Sequence, residues 1–348
     1  MKRRYNELPL TEPIFSTYHN QGTGAACIVS NPSIRNWYLN NAVSLNCNRK
    51  FLSGYTSPEI QVPNSMWGYI PHFETLWTHD KYIKQWNAKI RHLIDEGYYV
   101  SFHHVDDYYV PGKSWYHERH FLHDGLICGY NQDQKTYCIY AYDSHWVYQK
   151  FWTPQRRFNY ARYASRCEEK PVCICAIRPK KEPVFFSPQV ACENILKYLR
   201  SEEEMAPPHK DDNVYGIVVH EYIAAYLDRL ENGAIPHERM DRRVFRLIWE
   251  QKKAMLERIT LLEQLLQLDS LYSEQYQALV AEANTMRLLY ATYHMKQRAN
   301  TLPIIQKKLL GVMAKEEHIL SDLLVRAEKN LSMRAAPDDE SMEKETEH

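Results

Sequence analysis

Near Pro188 the sequence changes texture, and that change limits the folds open to the chain. Before it lie short runs rich in Tyr, Trp, Val and Ile; beyond it Leu, Glu, Lys, Arg and Gln dominate. In the second half Phe245, Ile248, Met255, Ile259, Leu262 and Leu266 recur at helical steps. Tyr276, Leu279, Ala283, Met286, Tyr290 and Tyr293 do the same, as do Ile305, Leu309, Val312, Leu320 and Leu323 after Thr301 and Pro303. These spacings predict three long amphipathic helices, preceded by two more near 188–201 and 213–231. The expected class is α+β: helices and antiparallel sheet first, then an all-α helical bundle. The expected boundaries are an arm over 1–13, an α+β domain over 14–182, a bundle over 183–334, and a disordered acidic tail over 335–348.

Within the first half, the pattern predicts helices over 34–45 and 82–94, the second closed by Gly97. Residues 51–80 show no period and read as an irregular loop. Strands are expected over 98–103, 147–152 and 171–177. Forty-three basic and 43 acidic residues balance, so nothing argues for nucleic acid or a membrane surface as partner. With no signal peptide and no apolar run of membrane length, the expected location is the cytoplasm, where the eight cysteines stay reduced. Cys173 and Cys175 alternate along a strand-like run and read as small buried hydrophobes.

The segment from His123 to Asp143 reads as a hairpin. An apolar run (GLICGY) follows His123, a polar turn (NQDQK) comes next, and a β-rich run (TYCIYAY) ends on Asp143. His123 and Asp143 therefore fall at one end of the sheet, where a carboxylate can fix an imidazole's tautomer for work as a base. Cys27 is the candidate nucleophile for such a base. It follows a glycine-containing loop and precedes a short apolar run, so the positive end of a helical turn would lower its pKa. The Gln21 side chain, with the Cys27 N–H, would form an oxyanion hole. Cys47 sits at a helix C-terminal end, and Cys128 and Cys138 sit inside strands; all three read as structural.

This order, Gln21-Gly22, Cys27, a distant His123 before Gly129-Tyr130, and Asp143 before Ser144-His145-Trp146, resembles the papain-like cysteine peptidase fold. With a helical second half, the layout is similar to the butirosin biosynthesis protein H N-terminal family. The resemblance implies a papain-like domain and cysteine-dependent acyl transfer from a carrier-protein thioester to an amine in secondary-metabolite or nonribosomal peptide biosynthesis. The implied partners are an acyl or peptidyl carrier protein and a small-molecule amine acceptor, with no cofactor. One departure stands out: Asn31-Pro32 follows Cys27 closely, whereas the family's nucleophile opens a long helix that proline would break. Either Cys27 heads a stub helix, or the fold serves binding and assembly without catalysis. A plain cysteine peptidase is the third reading.

A metal site is the rival for the histidine-rich segment, because HERHFLH spaces His117, His120 and His123 at three-residue intervals. Aromatic residues interleave them and no HExxH motif occurs, so no metal is expected. The segment is expected instead to line a cleft beside His123, with His103, Asp106, Tyr108, His120, Asp124 and Trp146 as substrate-binding residues.

Overall fold

The structure, a computed structural model, describes residues 3–54, 56–165, 170–202, 212–269 and 271–335. The fold is α+β. It divides into two compact units, residues 1–37 with 64–185, and residues 38–63 with 186–348.

The first unit is built on a seven-stranded antiparallel sheet. Along the sheet run β3 (Phe73–His79), β8 (Cys173–Pro179), β4 (Tyr99–Asp106), β5 (Leu122–Asn131), β6 (Thr136–Tyr142) and β7 (Tyr148–Pro154). A short β1 (Tyr5–Glu7) adds to the far end of β5. The expected surface arm is thus partly a strand, held further by Leu8 N–H donating to Cys128 O at 2.8 Å.

Alternation along the strands splits the sheet into two faces. One buries Val100, Phe102, Ile127, Ile139, Ile174 and Ala176 under α3 (Trp86–Asp95) and α4 (Gln155–Ala164). Gly125 on this face has no Cβ because a methyl there would enter the Phe102 ring. The other face carries Tyr99, Leu126, Cys128, Cys138 and Tyr140, packed against Ala26 and Cys27 at the end of α1 (His19–Ala26). Gly97 takes φ 83° just after α3, as expected of a C-cap glycine. The expected loop over 51–80 contains β3, an edge strand exposed along most of its length.

The second unit contains α5 (Pro188–Leu199), α6 (Val219–Glu231), α7 (Val244–Leu266), α8 (Leu271–Lys296) and α9 (Thr301–Ala335). Residues 38–63 belong with these helices and not with the sheet, which corrects the continuous 14–182 domain. The reason is polar as much as apolar. The buried Arg258 guanidinium bonds the carbonyls of Tyr38, Leu39 and Ala42 at the end of α2 (Arg35–Asn41). Gln251 donates to Val43 O at 2.9 Å, and β2 (Asn46–Asn48) pairs with β9 (Asn213–Tyr215). Inside this unit Lys252 and Glu316 form a fully buried ion pair, with the Tyr198 hydroxyl 2.8 Å from the carboxylate. The expected acidic tail lies, but for Ala335, outside the described residues.

Candidate functional site

α1 opens at His19 and ends at Ala26, so Cys27 caps its C-terminal end and starts only a single 3-10 turn (Ile28–Ser30). The expected environment is thereby reversed. The helix dipole there opposes a thiolate, and Cys27 is completely buried among Tyr99, Leu126, Cys128, Cys138 and Tyr140. Burial pushes its thiol well above the ordinary cysteine value. Little in the local sequence announces α1, because two glycines in eight residues depress helix propensity. Gln21 lies within α1, buried, its side-chain oxygen without a hydrogen bond among the described residues.

His123 is the second residue of β5, and continuing the Leu126–Tyr140 ladder three pairs brings Asp143 across from it. The backbone thus follows the expected hairpin, but the Asp143 side chain is spent elsewhere. Oδ1 accepts from the His145 and Val147 amides at 2.8 and 2.9 Å, and Oδ2 accepts from Gln149 Nε2. Asp143 closes the turn between β6 and β7, an ordinary task for aspartate. Although burial opposes ionisation, those donors hold its carboxyl below the usual range.

The carboxylate at His123 is Asp107, just past β4. Its Oδ2 lies 3.0 Å from His123 Nδ1, and its Oδ1 lies 3.3 Å from the buried Lys113 ammonium. Lys113 Nζ is also 3.2 Å from Nδ1. Because the Asp107 carboxylate can only accept, it pairs with Nδ1 in the tautomer that carries the proton there, and the ammonium balances the carboxylate. In that tautomer Nε2, on a part-exposed ring, is the acceptor nitrogen. Burial lowers the Lys113 pKa, and Asp107 opposes the shift. Asp107 falls in the crowd of His and Asp residues weighed as a metal site, but nothing local pairs it with His123, and a lone lysine in VPGKSW carries no periodic signal.

A second imidazole–carboxylate pair stands on the α1 face. Asp124 Oδ2 is 3.3 Å from His103 Nδ1, and Oδ1 accepts from the His104 amide at 3.2 Å. A bulge at His103–His104, with His104 at φ 60°, turns these groups toward the carboxylate. Burial would raise the Asp124 pKa, yet His103, His19 and the His104 amide hold it far below the usual range. The other His103 nitrogen is 3.3 Å from Ser101 Oγ, and its ring stacks on the exposed Trp77. His19, at the start of α1, is sealed between Thr23 Oγ1 at 2.9 Å and Tyr148 Oη at 3.0 Å. Burial lowers its pKa to about 3, and His123, Lys113 and His103 press in the same direction.

The remaining expected residues divide. His120 Nδ1 is 2.7 Å from Asp106 Oδ2, and its ring stacks on Tyr108. Asp106 also receives the Phe121 and Tyr108 amides, so these three residues brace the loop. Trp146 is half exposed and meets Trp115 edge to face. His117 and His120 both meet the Tyr108 ring, while His123 turns to Asp107. Among the described residues no group of three His, Cys, Asp or Glu side chains is placed to hold a metal ion. No described helix is long and apolar enough to cross a membrane. Comparison with family models and with curated proteins finds no match to this sequence.

Proposed function

We propose that this chain is a papain-like protein that binds and assembles without a cysteine acyl-enzyme. In this reading it docks an acyl or peptidyl carrier protein, or its synthetase, in secondary metabolism. One observation carries the reading. The thiol assigned as nucleophile is sealed at the C-terminal end of α1, while the residues opening that helix are His19 and Asn20, neither able to form a thioester. Incubating the protein with an acyl-loaded carrier protein, followed by intact-mass analysis and sedimentation, tests it. Complex formation without an acyl adduct is expected; an adduct on Cys27 overturns the reading.

A second reading rests on the free Nε2 of His123. With the ring oriented through Nδ1 by Asp107, this nitrogen suits a base that deprotonates an incoming amine for direct attack on a thioester. Amide product formed without any enzyme adduct, and lost in His123→Gln, distinguishes it from docking alone.

A further inference from the structure

We propose that the groove between α7 and α8 seats an amphipathic helix of a partner protein, one whose apolar stripe is flanked by carboxylates. The surface lies wholly within the helical unit and is independent of the reading above. One line of α7 forms its floor: Arg246, Trp249, Lys253, Leu256, Thr260 and Gln264 follow at three- and four-residue steps. Such steps keep side chains on one face, here for about 27 Å of helix. All six are part-exposed or exposed, whereas Phe245, Met255 and Ile259 on the core side are buried. The period alone is that of any helix; the lining of the groove says what it receives.

Toward one end a cavity of about 490 Å³ opens between Leu256, Thr260 and Leu261 of α7 and Gln277 and Val280 of α8. Its walls are aliphatic with a few hydrogen-bonding groups, the lining a helix-in-groove contact uses. Toward the other end Lys253 Nζ lies 3.9 Å and Arg287 Cζ 4.7 Å from the centre of the half-buried Trp249 ring. Neither cation forms an ion pair with a described carboxylate. Arg287 donates to Asn284 Oδ1 from Nε at 3.0 Å and from Nη2 at 2.8 Å, which leaves Nη1 without a partner among the described residues. Burial, then the Arg246 charge, lower the Arg287 pKa. Cations gathered in this way repel one another, and a partner's carboxylates remove that cost. Glu257 is the one carboxylate among the lining residues, so Lys253 and Arg287 leave that end positive. An aliphatic groove running into an unbalanced positive end matches a helix of apolar stripe and acidic flanks.

Fluorescence anisotropy of a labelled helical peptide of about 18 residues, titrated with the full-length chain, tests the groove. The peptide carries leucine at heptad spacing and glutamate on both flanks. Saturable one-site binding is expected. A peptide with lysine in place of glutamate, and one with glutamine in place of leucine, each bind at least about tenfold more weakly. Lys253→Glu combined with Arg287→Glu weakens the glutamate peptide at least about tenfold. Lys89→Glu, at an exposed position of α3, changes it less than about twofold. Circular dichroism checks that the charge-reversed protein is folded, and the two control peptides read the groove on the unaltered chain. Absence of saturable binding, equal affinity for the glutamate and lysine peptides, no loss on removing the leucines, or equal losses in the Lys253/Arg287 and Lys89 variants overturns the proposal. A synthetic peptide of residues 336–348 binding as tightly assigns the groove to the chain's own acidic end, and self-association that the charge-reversed protein loses assigns it to a second copy; either result also overturns it.

Discussion

Asp107 Oδ2 stands 3.0 Å from His123 Nδ1, and the same carboxylate neutralises Lys113, whose side chain is only about 1% exposed. One aspartate thus orients the imidazole and balances a buried ammonium. Breaking a buried pair costs more than removing it whole, since the survivor keeps its desolvation penalty. Asp107→Asn is therefore expected to destabilise the protein by about 3–5 kcal/mol, and adding Lys113→Met to recover most of that loss. Urea unfolding of the two single variants and the double variant measures it. Strict additivity would remove the pair from its structural role.

Cys27 is expected to resist alkylation in the native protein and to react only once urea exposes it. Cys173 and Cys192, the described thiols that are not fully buried, label first. Cys27→Ser places a hydroxyl in an apolar cluster and costs about 1–3 kcal/mol. Timed iodoacetamide labelling with peptide mass spectrometry reads the order; Cys27 reacting ahead of Cys173 would contradict its burial.

Acid should weaken the helical unit. His220 is fully buried, with Nδ1 2.8 Å from Ile217 O and Nε2 3.9 Å from Glu316. Burial first, then the Lys252 charge, lower its pKa to about 4. Below the ordinary histidine value the unfolded chain takes up a proton that the folded one refuses, so stability falls as pH drops from about 6.5 toward 4. The loss is about 3 kcal/mol from this group. Denaturation midpoints across that range check it, and His220→Gln is expected to flatten the slope.

Gly125→Ala is expected to destabilise the sheet by about 1–3 kcal/mol, because the new methyl must displace the Phe102 ring. Phe102→Leu in the same chain relieves part of that loss. A Gly125→Ala protein as stable as the parent would mean the ring moves aside at no cost.

The long helices are legible in the sequence because Leu, Ile and Met recur every three or four residues over two dozen positions in α7 and α9, a pattern that only a helix gathers on one face. The His123–Asp143 hairpin is legible because two β-rich apolar runs flank a short polar turn. α1 and β3 are not: His19–Ala26 is glycine-bearing with no apolar stripe, and Phe73–His79 is an edge strand exposed along most of its length. Asp107 gives no local signal because its partner lies sixteen residues away around an irregular loop. Asp143 misleads because an aspartate that closes a turn and one that orients a histidine look alike in sequence.

The excursion of residues 38–63 into the helical unit has a consequence for dissecting the molecule. A polypeptide stopped after Phe185 would retain Tyr38–Pro63 but lose Arg258, Gln251 and β9, which between them satisfy that stretch. The severed half would expose Phe51, Val43 and Leu45, now wholly enclosed, and would be sticky in isolation. Separate preparation of the sheet half requires excising that excursion and bridging Trp37 to Asn64.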